Sequence, residues 1–401
     1  MRIGVDVRTM EGGAQHRGIG RFATSLIEAM SKIDTRNDYY FFVSHKNAQP
    51  PDFQLAKGFK QSAQHGGKQG LRGIKYVRII YAMPKKLAVD TYDLDVFFQL
   101  DPFMPITAHT TPVVTMLYDL IPFLFPKTYQ HVPLNGYTPG HFIGYTRSKI
   151  KWKILTRMVA TFAQADRVIS ISEHSKKDLI SLVPIVNPKK VVAIPLAGEL
   201  PASKNPGPGA LKIVQHRSFL FYFGGADPRK GLVAFTKTLD ALWESHPEVY
   251  VVYAGKEILD MRIPEARRLD KATSQVSRPK QVIRLGYISD DELMWALKNA
   301  RSLVFPSSYE GFGLPVLQAM QAGCPVVAYN NSSIPEVAGK AAVLVKDGTS
   351  MVPALQQILS DKTYRSRLVR EGRLQASKFT WEKSARQTLK VLTEAAKEKK
   401  A

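Results

Sequence analysis

Three short stretches gather the residues that could do chemistry. In PSSYEGFGLPVLQAMQAGC, 306–324, the carboxylate of Glu310 stands directly before Gly311, Phe312, Gly313 and Leu314. Pro315 suits the first turn of a helix and Gly323 lies just past its end, so the spacing predicts a helix over 314–321. The first amides of such a helix have no internal partner and carry about half a positive charge. Glycines let backbone approach a ligand closely, and phosphate is the ligand that suits such amides. Glu310 would repel a phosphate. Its chemistry is therefore with neutral hydroxyls attached to that phosphate, as in a sugar. The plainer reading is a carboxylate that only complements the helix dipole.

The second stretch is FYFGGADPRKG, 221–231: a strand, a turn at Gly225 and its glycine neighbour, then Arg229 and Lys230 opening a helix. Two cations beside a helix N-terminus suit a diphosphate. The third, GGAQHRGIGRF at 12–22, is a glycine-rich loop containing Gly18 and Gly20. It lacks the full dinucleotide-binding spacing, so it reads as a loop approaching a ligand held mainly by other residues.

Metal chemistry finds little support. Asp93 and Asp95 match an Asp-x-Asp pattern, but nothing nearby completes a ligand set, and the nine histidines show no zinc spacing. Ser333 and Glu336 read as a capping box. The single cysteine, Cys324, allows no internal disulfide and reads as a buried small hydrophobe.

These residues need a scaffold that presents turns side by side. Apolar runs at 2–7, 39–43, 94–100, 113–118, 167–172 and 190–195 alternate with helical patterns, such as Phe22, Leu26 and Met30 at fourfold spacing. Such alternation predicts an α/β fold with parallel sheets covered on both faces. Residues 196–212 are rich in Pro and Gly and read as a linker. The alternation restarts at 219–225, 248–256, 281–287, 302–307, 325–330 and 341–345, and the chain closes on a helical pattern at 381–400. Glycine-rich residues 56–75 read as a loop.

Net charge is +22, shared evenly between the two halves of the chain but locally clustered. Residues 53–89 and 120–165 contain no acid and many lysines and arginines. Such fields attract phosphates, anionic lipid or nucleic acid, yet no nucleic-acid module is recognisable. The N-terminus enters a strand directly, without a signal-peptide pattern, and no run is long and apolar enough to span a membrane. The expectation is a cytoplasmic protein, with the basic stretches at 57–86 and 147–157 meeting an anionic membrane or an acceptor's phosphates.

Across nearly its whole length the chain resembles the retaining glycosyltransferases of family 4, within the glycosyl transferases group 1, which have the GT-B fold. The resemblance rests on RIGVDVRTMEGGAQHRGIGRF, LYDLIPFLFP, ADRVISISEHSKKDL, GGADPRKG, PSSYEGFGLPVLQAMQAGCPVVAYNNSSIPEVAG and FTWEKSARQTLKVL. It implies two Rossmann-like domains facing a central cleft: 1–197 on the acceptor side, 198–380 holding the nucleotide sugar, and a helix at 381–401 crossing back to the first domain. Arg229 and Lys230 would hold the diphosphate. Amides of Phe312, Gly313 and Leu314 would face phosphate and sugar, and Glu310 would meet sugar hydroxyls. Gly255, Tyr287 and Ile288 would lie near the base, and Gly18, Gly20, Tyr118 and Asp119 would line the cleft from the first domain.

The resemblance further implies a nucleoside diphosphate sugar as donor, no metal or other cofactor, and retention of anomeric configuration. The hexose would be mannose, from the most similar subgroup, and the acceptor a glycan or lipid-linked acceptor in surface polysaccharide or glycoconjugate synthesis. Two departures stand out. The family's second Glu is Gln318, which keeps one acceptor and loses the charge carried to the ribose. The family's His-Asp pair reads Tyr118-Asp119. A nucleotide-sugar epimerase, or a catalytically impaired sugar-nucleotide-binding subunit, would share the same frame.

Overall fold

The computed structural model describes residues 1–10, 18–43, 60–62, 73–78, 87–102, 106–126, 159–198, 200, 203 and 206–398. Among them the chain divides into two compact units: Met1–Ala197 with Thr380–Ala401, and Gly198–Phe379. The basic stretch at 147–157, and most of that at 57–86, lies outside the described residues.

The first unit is built on an eight-stranded parallel sheet. Its strands are β1 (Arg2–Asp6), β2 (Asp38–Val43), β3 (Lys60–Ser62), β4 (Gly73–Arg78), β6 (Val96–Gln99), β8 (Val113–Leu117), β9 (Arg167–Ser170) and β10 (Val191–Ala193), in the order β10-β9-β8-β6-β1-β2-β4-β3. Short β5 (Leu87–Ala88) and β7 (Ile106–Thr107) pair apart from it. Strands of such a sheet are covered on both faces and read as unbroken apolar runs; β6 and β8 are buried at every residue. The sequence reading of 56–75 as loop needs correction, because β3 lies within it and β4 begins there. Polar, glycine-containing strands toward a sheet edge carry no alternation to reveal them.

Helix Gly18–Ile33 buries Phe22, Leu26, Ile27 and Met30. It begins at Gly18, so Gly18 and Gly20 lie in its first turn rather than in the loop predicted for them. The apolar period starting at Phe22 extends the helix back over glycines that local propensity alone would leave out. The last helix, Trp381–Glu398, packs on this one, with the Trp381 and Phe22 rings 5.5 Å apart. Ser384 Oγ also donates to Pro195 O at 2.7 Å.

The second unit carries a six-stranded parallel sheet: β11 (Phe219–Phe223), β12 (Tyr250–Ala254), β13 (Val282–Leu285), β14 (Ser302–Phe305), β15 (Val326–Tyr329) and β16 (Val343–Val345). The order is β13-β12-β11-β14-β15-β16. Successive strands run outward from β11 in one direction and from β14 in the other. The boundary between β11 and β14 is therefore a switch point, where open α/β sheets bind ligands beyond their carboxyl ends. Beneath it lie fully buried Tyr222, Tyr253 and Phe305, with Tyr222 stacked 6.4 Å from Phe305.

Candidate active site at the second sheet's switch point

Beyond β11 the chain turns through Gly224 and Gly225 into a short 3-10 turn, Pro228–Lys230. Asp227 Oδ1 accepts the Arg229 amide at 2.9 Å and so fixes the start of that turn. Gly231 ends it at φ +68°, and a Cβ there would lie 2.2 Å from Pro306 O. Only glycine lets this turn press against the loop beyond β14.

That contact brings the two motifs together. Arg229 Nη1 donates to Tyr309 O at 2.5 Å and lies 3.1 Å from Glu310 Oε1. Lys230 Nζ donates to the same Oε1 at 2.6 Å. The three side chains are only 11 to 14 % exposed. Charge-assisted bonds in so shielded a place are stronger than surface pairs. Asp227 stands 3.7 Å from Arg229 Nε and completes the charge pattern.

Glu310 is held through its backbone as well. Its amide donates to Ser332 Oγ at 3.0 Å, and Ser333 Oγ donates to its carbonyl at 2.9 Å. Asn331 Nδ2 donates to Ser307 O at 3.1 Å, and the Ser308 amide donates to Arg229 O at 2.8 Å. The turns after β11, β14 and β15 thus form one hydrogen-bonded unit. The capping box expected at Ser333 and Glu336 is corrected here: helix Ile334–Ala338 has no side-chain cap, because Ser333 uses its hydroxyl on Glu310.

Helix Leu314–Ala322 begins where the sequence predicted and ends one residue later. Gly313 and Gly323 cap its two ends at positive φ. Phe312 points inward, with its ring 6.0 Å from that of Phe379 and edge-on to it. The amides of Phe312, Gly313 and Leu314 take no hydrogen-bond partner among the described residues. Glu310 Oε2 likewise accepts no hydrogen bond there, so one carboxylate oxygen anchors the cations and the other remains open. Gln318 is half-buried on the second turn of this helix.

Tyr222 lies under the site and donates its hydroxyl to Gly225 O at 2.9 Å. Burial pushes its phenol well above the ordinary range, and the nearby charge of Glu310 adds to this. Gly255, beyond β12, donates its amide to Gly286 O at 2.9 Å, and a Cβ on it would lie 1.9 Å from Gly224 O. Close backbone contact therefore joins the turns beyond β11, β12 and β13. Tyr287 follows and is exposed, with Ile288 half-buried beside it.

The remaining candidates belong to the first unit. Tyr118 Oη donates to Leu100 O at 2.9 Å, and its ring lies edge-on to Phe22. Asp119 Oδ1 accepts the Ile121 amide at 3.0 Å. Asp93 and Asp95 both bond Arg2. Among the described residues no cluster of His, Cys, Asp and Glu could hold a metal ion, and no helix is long and apolar enough to cross a membrane.

Sequence reading found Arg229, Lys230 and Glu310, gave Ser333 a different partner, and missed Tyr222, Ser307, Ser308, Asn331 and Ser332. The signal available was polar clusters, PSS and NNSS, directly after two apolar strands.

Residues 208–375 match the model of the glycosyl transferases group 1 family. The stretch contains both site loops and lies within the second unit. The O-antigen chain mannosyltransferase B of Escherichia coli is 32% identical over 176 residues, which cover 43% of this chain and 45% of that protein. The serotype-specific mannosyltransferase WbdA of Escherichia coli is 23% identical over 98% of this chain and 48% of its own length. The chain thus spans less than half the length of either relative. Among solved structures, sucrose-phosphate synthase from Thermosynechococcus elongatus aligns with a TM-score of 0.67 at 17% identity, covering 98% of both chains. Anabaena HepE in complex with UDP and glucose aligns with a TM-score of 0.62 at 16% identity, covering 98% of this chain and 99% of that one. The fold is that of the GT-B glycosyltransferases.

Proposed function

We propose that this chain is a retaining hexosyltransferase that moves mannose from a nucleoside diphosphate sugar to a glycan or lipid-linked acceptor in surface polysaccharide synthesis. The observation that carries the reading is the shared grip of Arg229 and Lys230 on one oxygen of Glu310. The names of the two Escherichia coli relatives support mannose and polysaccharide synthesis.

In this mechanism Arg229, Lys230 and the amides of Phe312, Gly313 and Leu314 receive the negative charge that develops on the departing diphosphate. Preorganised donors of this kind lower the barrier because they need no rearrangement as charge appears. Glu310 Oε2 accepts hydroxyls of the hexose and orients its anomeric carbon. The acceptor hydroxyl then attacks the face that the diphosphate leaves, and configuration is kept. Positioning supplies most of the remaining rate. The two cations and the helix amides do the work a metal ion would otherwise do, so we propose no metal cofactor.

A thermal-shift panel of UDP-, GDP- and ADP-sugars identifies the donor, and NMR of the product gives its anomeric configuration. A product of inverted configuration overturns retention. Turnover of the sugar nucleotide without acceptor or nucleotide release points instead to an epimerase. The reading extends to a chain acting in the cytoplasm against an anionic membrane. Flotation that shows no preference for anionic over neutral vesicles removes that part.

A further inference from the structure

The carboxyl edge of the second sheet changes chemical character strand by strand. Beyond β13, Tyr287 is 79% exposed. Leu259, beyond β12, is 49% exposed, and its Cδ1 lies 3.7 Å from the position of a Cβ on Gly286. Together they offer an apolar, partly aromatic surface. Beyond β12 also stands Glu257. Beyond β11 come Arg229 and Lys230, and beyond β14 comes Glu310. In spatial order this is a surface for a flat ring, a carboxylate, two cations and a second carboxylate. A nucleoside diphosphate sugar, read from end to end, presents a base, a vicinal diol, a diphosphate and a polyol. Neighbouring strands lie about 4.8 Å apart, so the three steps cover roughly 14 Å, a distance such a molecule bridges when extended.

Glu257 is the member of this series that nothing else explains. Its Oε2 accepts the Ala226 amide at 3.1 Å, and that is its single hydrogen bond among the described residues. Among the described residues Oε1 takes no partner, and the residue is exposed. The side chain reaches from the turn beyond β12 to the turn beyond β11, where a Cβ on Gly225 would lie 2.6 Å from Oε2. The carboxylate therefore sits between the surface that suits a base and the cations that suit a diphosphate.

We propose that Glu257 Oε1 accepts the ribose hydroxyls of the bound nucleotide while Oε2 remains on Ala226. The assignment rests on the donor site proposed above and adds a specificity-determining residue to it. It also gives a carboxylate for the ribose in a chain whose residue 318 is Gln. Glu257 takes no part in bond making; it selects for a ribonucleotide and sets the register of the donor along the sheet edge.

Calorimetric titration of the full chain tests this with GDP, UDP, ADP, their 2′-deoxy counterparts and inorganic pyrophosphate. In the wild type, the best-bound nucleotide should exceed its 2′-deoxy form by about tenfold, the scale of a hydrogen bond to a charged acceptor. Glu257→Ala and Glu257→Gln should bind the ribonucleotide about tenfold more weakly and lose most of that discrimination. Their affinity for pyrophosphate should stay within about twofold of wild type. A variant that keeps the wild-type ratio of ribo to deoxy binding overturns the assignment and leaves the donor site standing. So does an equal loss toward nucleotide and pyrophosphate, which would make Glu257 a brace for the Ala226 turn. Wild-type chain that binds none of these nucleotides overturns both the donor site and the role of Glu257. Thermal unfolding of each variant shows that it is folded.

Discussion

Lys230 Nζ donates to Glu310 Oε1 at 2.6 Å, although 80 residues separate the two in the chain. The pair is closed by the contact between Gly231 and Pro306, so a glycine with no chemistry of its own decides where the cation stands. The same Oε1 serves Arg229, which leaves the second oxygen of Glu310 without a hydrogen-bond partner among the described residues.

Removing either partner should be costly. Glu310→Ala and Lys230→Ala are each expected to lower kcat by at least about tenfold, since the proposed mechanism puts each group at the reacting centre. The double variant should lose less than the sum, with a coupling of about 1–3 kcal/mol for groups in direct contact. Steady-state kinetics of the four proteins measures this. Near-normal turnover in Glu310→Ala would remove the role assigned to it.

Ser333→Ala tests whether the backbone of Glu310 must be held. It deletes the 2.9 Å bond to the Glu310 carbonyl and leaves the carboxylate chemistry intact. The expected cost is about 1 kcal/mol, seen as a severalfold fall in kcat with the donor KM little changed. A stability loss without that kinetic change would assign Ser333 to packing alone.

Gly231→Ala should destabilise the second unit by about 1–3 kcal/mol, through a left-handed backbone and a Cβ that meets a carbonyl oxygen. Urea unfolding is the measurement. An unchanged midpoint would mean that the two loops separate at little cost.

Asp90 carries a pH dependence. Partial burial raises its carboxyl, but amides of Thr111 and His109 bind the charged form and bring it well below the usual range. A folded-state pKa below the unfolded value gives stability that is complete above about pH 4 and lost as pH falls further. Wild type should therefore be more stable than Asp90→Asn at pH 7, with the gap closing below about pH 4. A constant gap from pH 7 to pH 3 would contradict this.

Cys324 should be inert while folded. Burial pushes its thiol up to about 12. Iodoacetamide at pH 8 should label it only after denaturation, as mass spectrometry would show. Gln318→Glu should retain activity, because in the proposed donor site it adds a charge on the nucleotide side without altering the loops; loss of turnover would show that the amide is required.

Sequence made the local parts of this site legible. The helix from Leu314 announces itself because Gly313, Pro315 and Gly323 are signals within a dozen residues of one another. Arg229 and Lys230 were visible for the same reason. Ser333 misled because its hydroxyl had two possible uses, and the partner it takes is distant in sequence. Gly18 and Gly20 misled because glycine suggests a loop, whereas the apolar face beginning at Phe22 carries the helix through them. Glu257 gave no signal, since a lone acid after an apolar strand resembles any surface residue until the turn beyond β11 is seen beside it.

The helix Trp381–Glu398 rests against the helix Gly18–Ile33, yet the whole of the second unit lies between them in the chain. During synthesis from the N-terminus, Phe22 waits for Trp381 until the whole of the second unit has been made. The later-made unit is thus free to fold before the earlier one can be finished. Premature termination near residue 380 would spare the loops beyond β11 and β14 and leave the older sheet with an uncovered apolar flank.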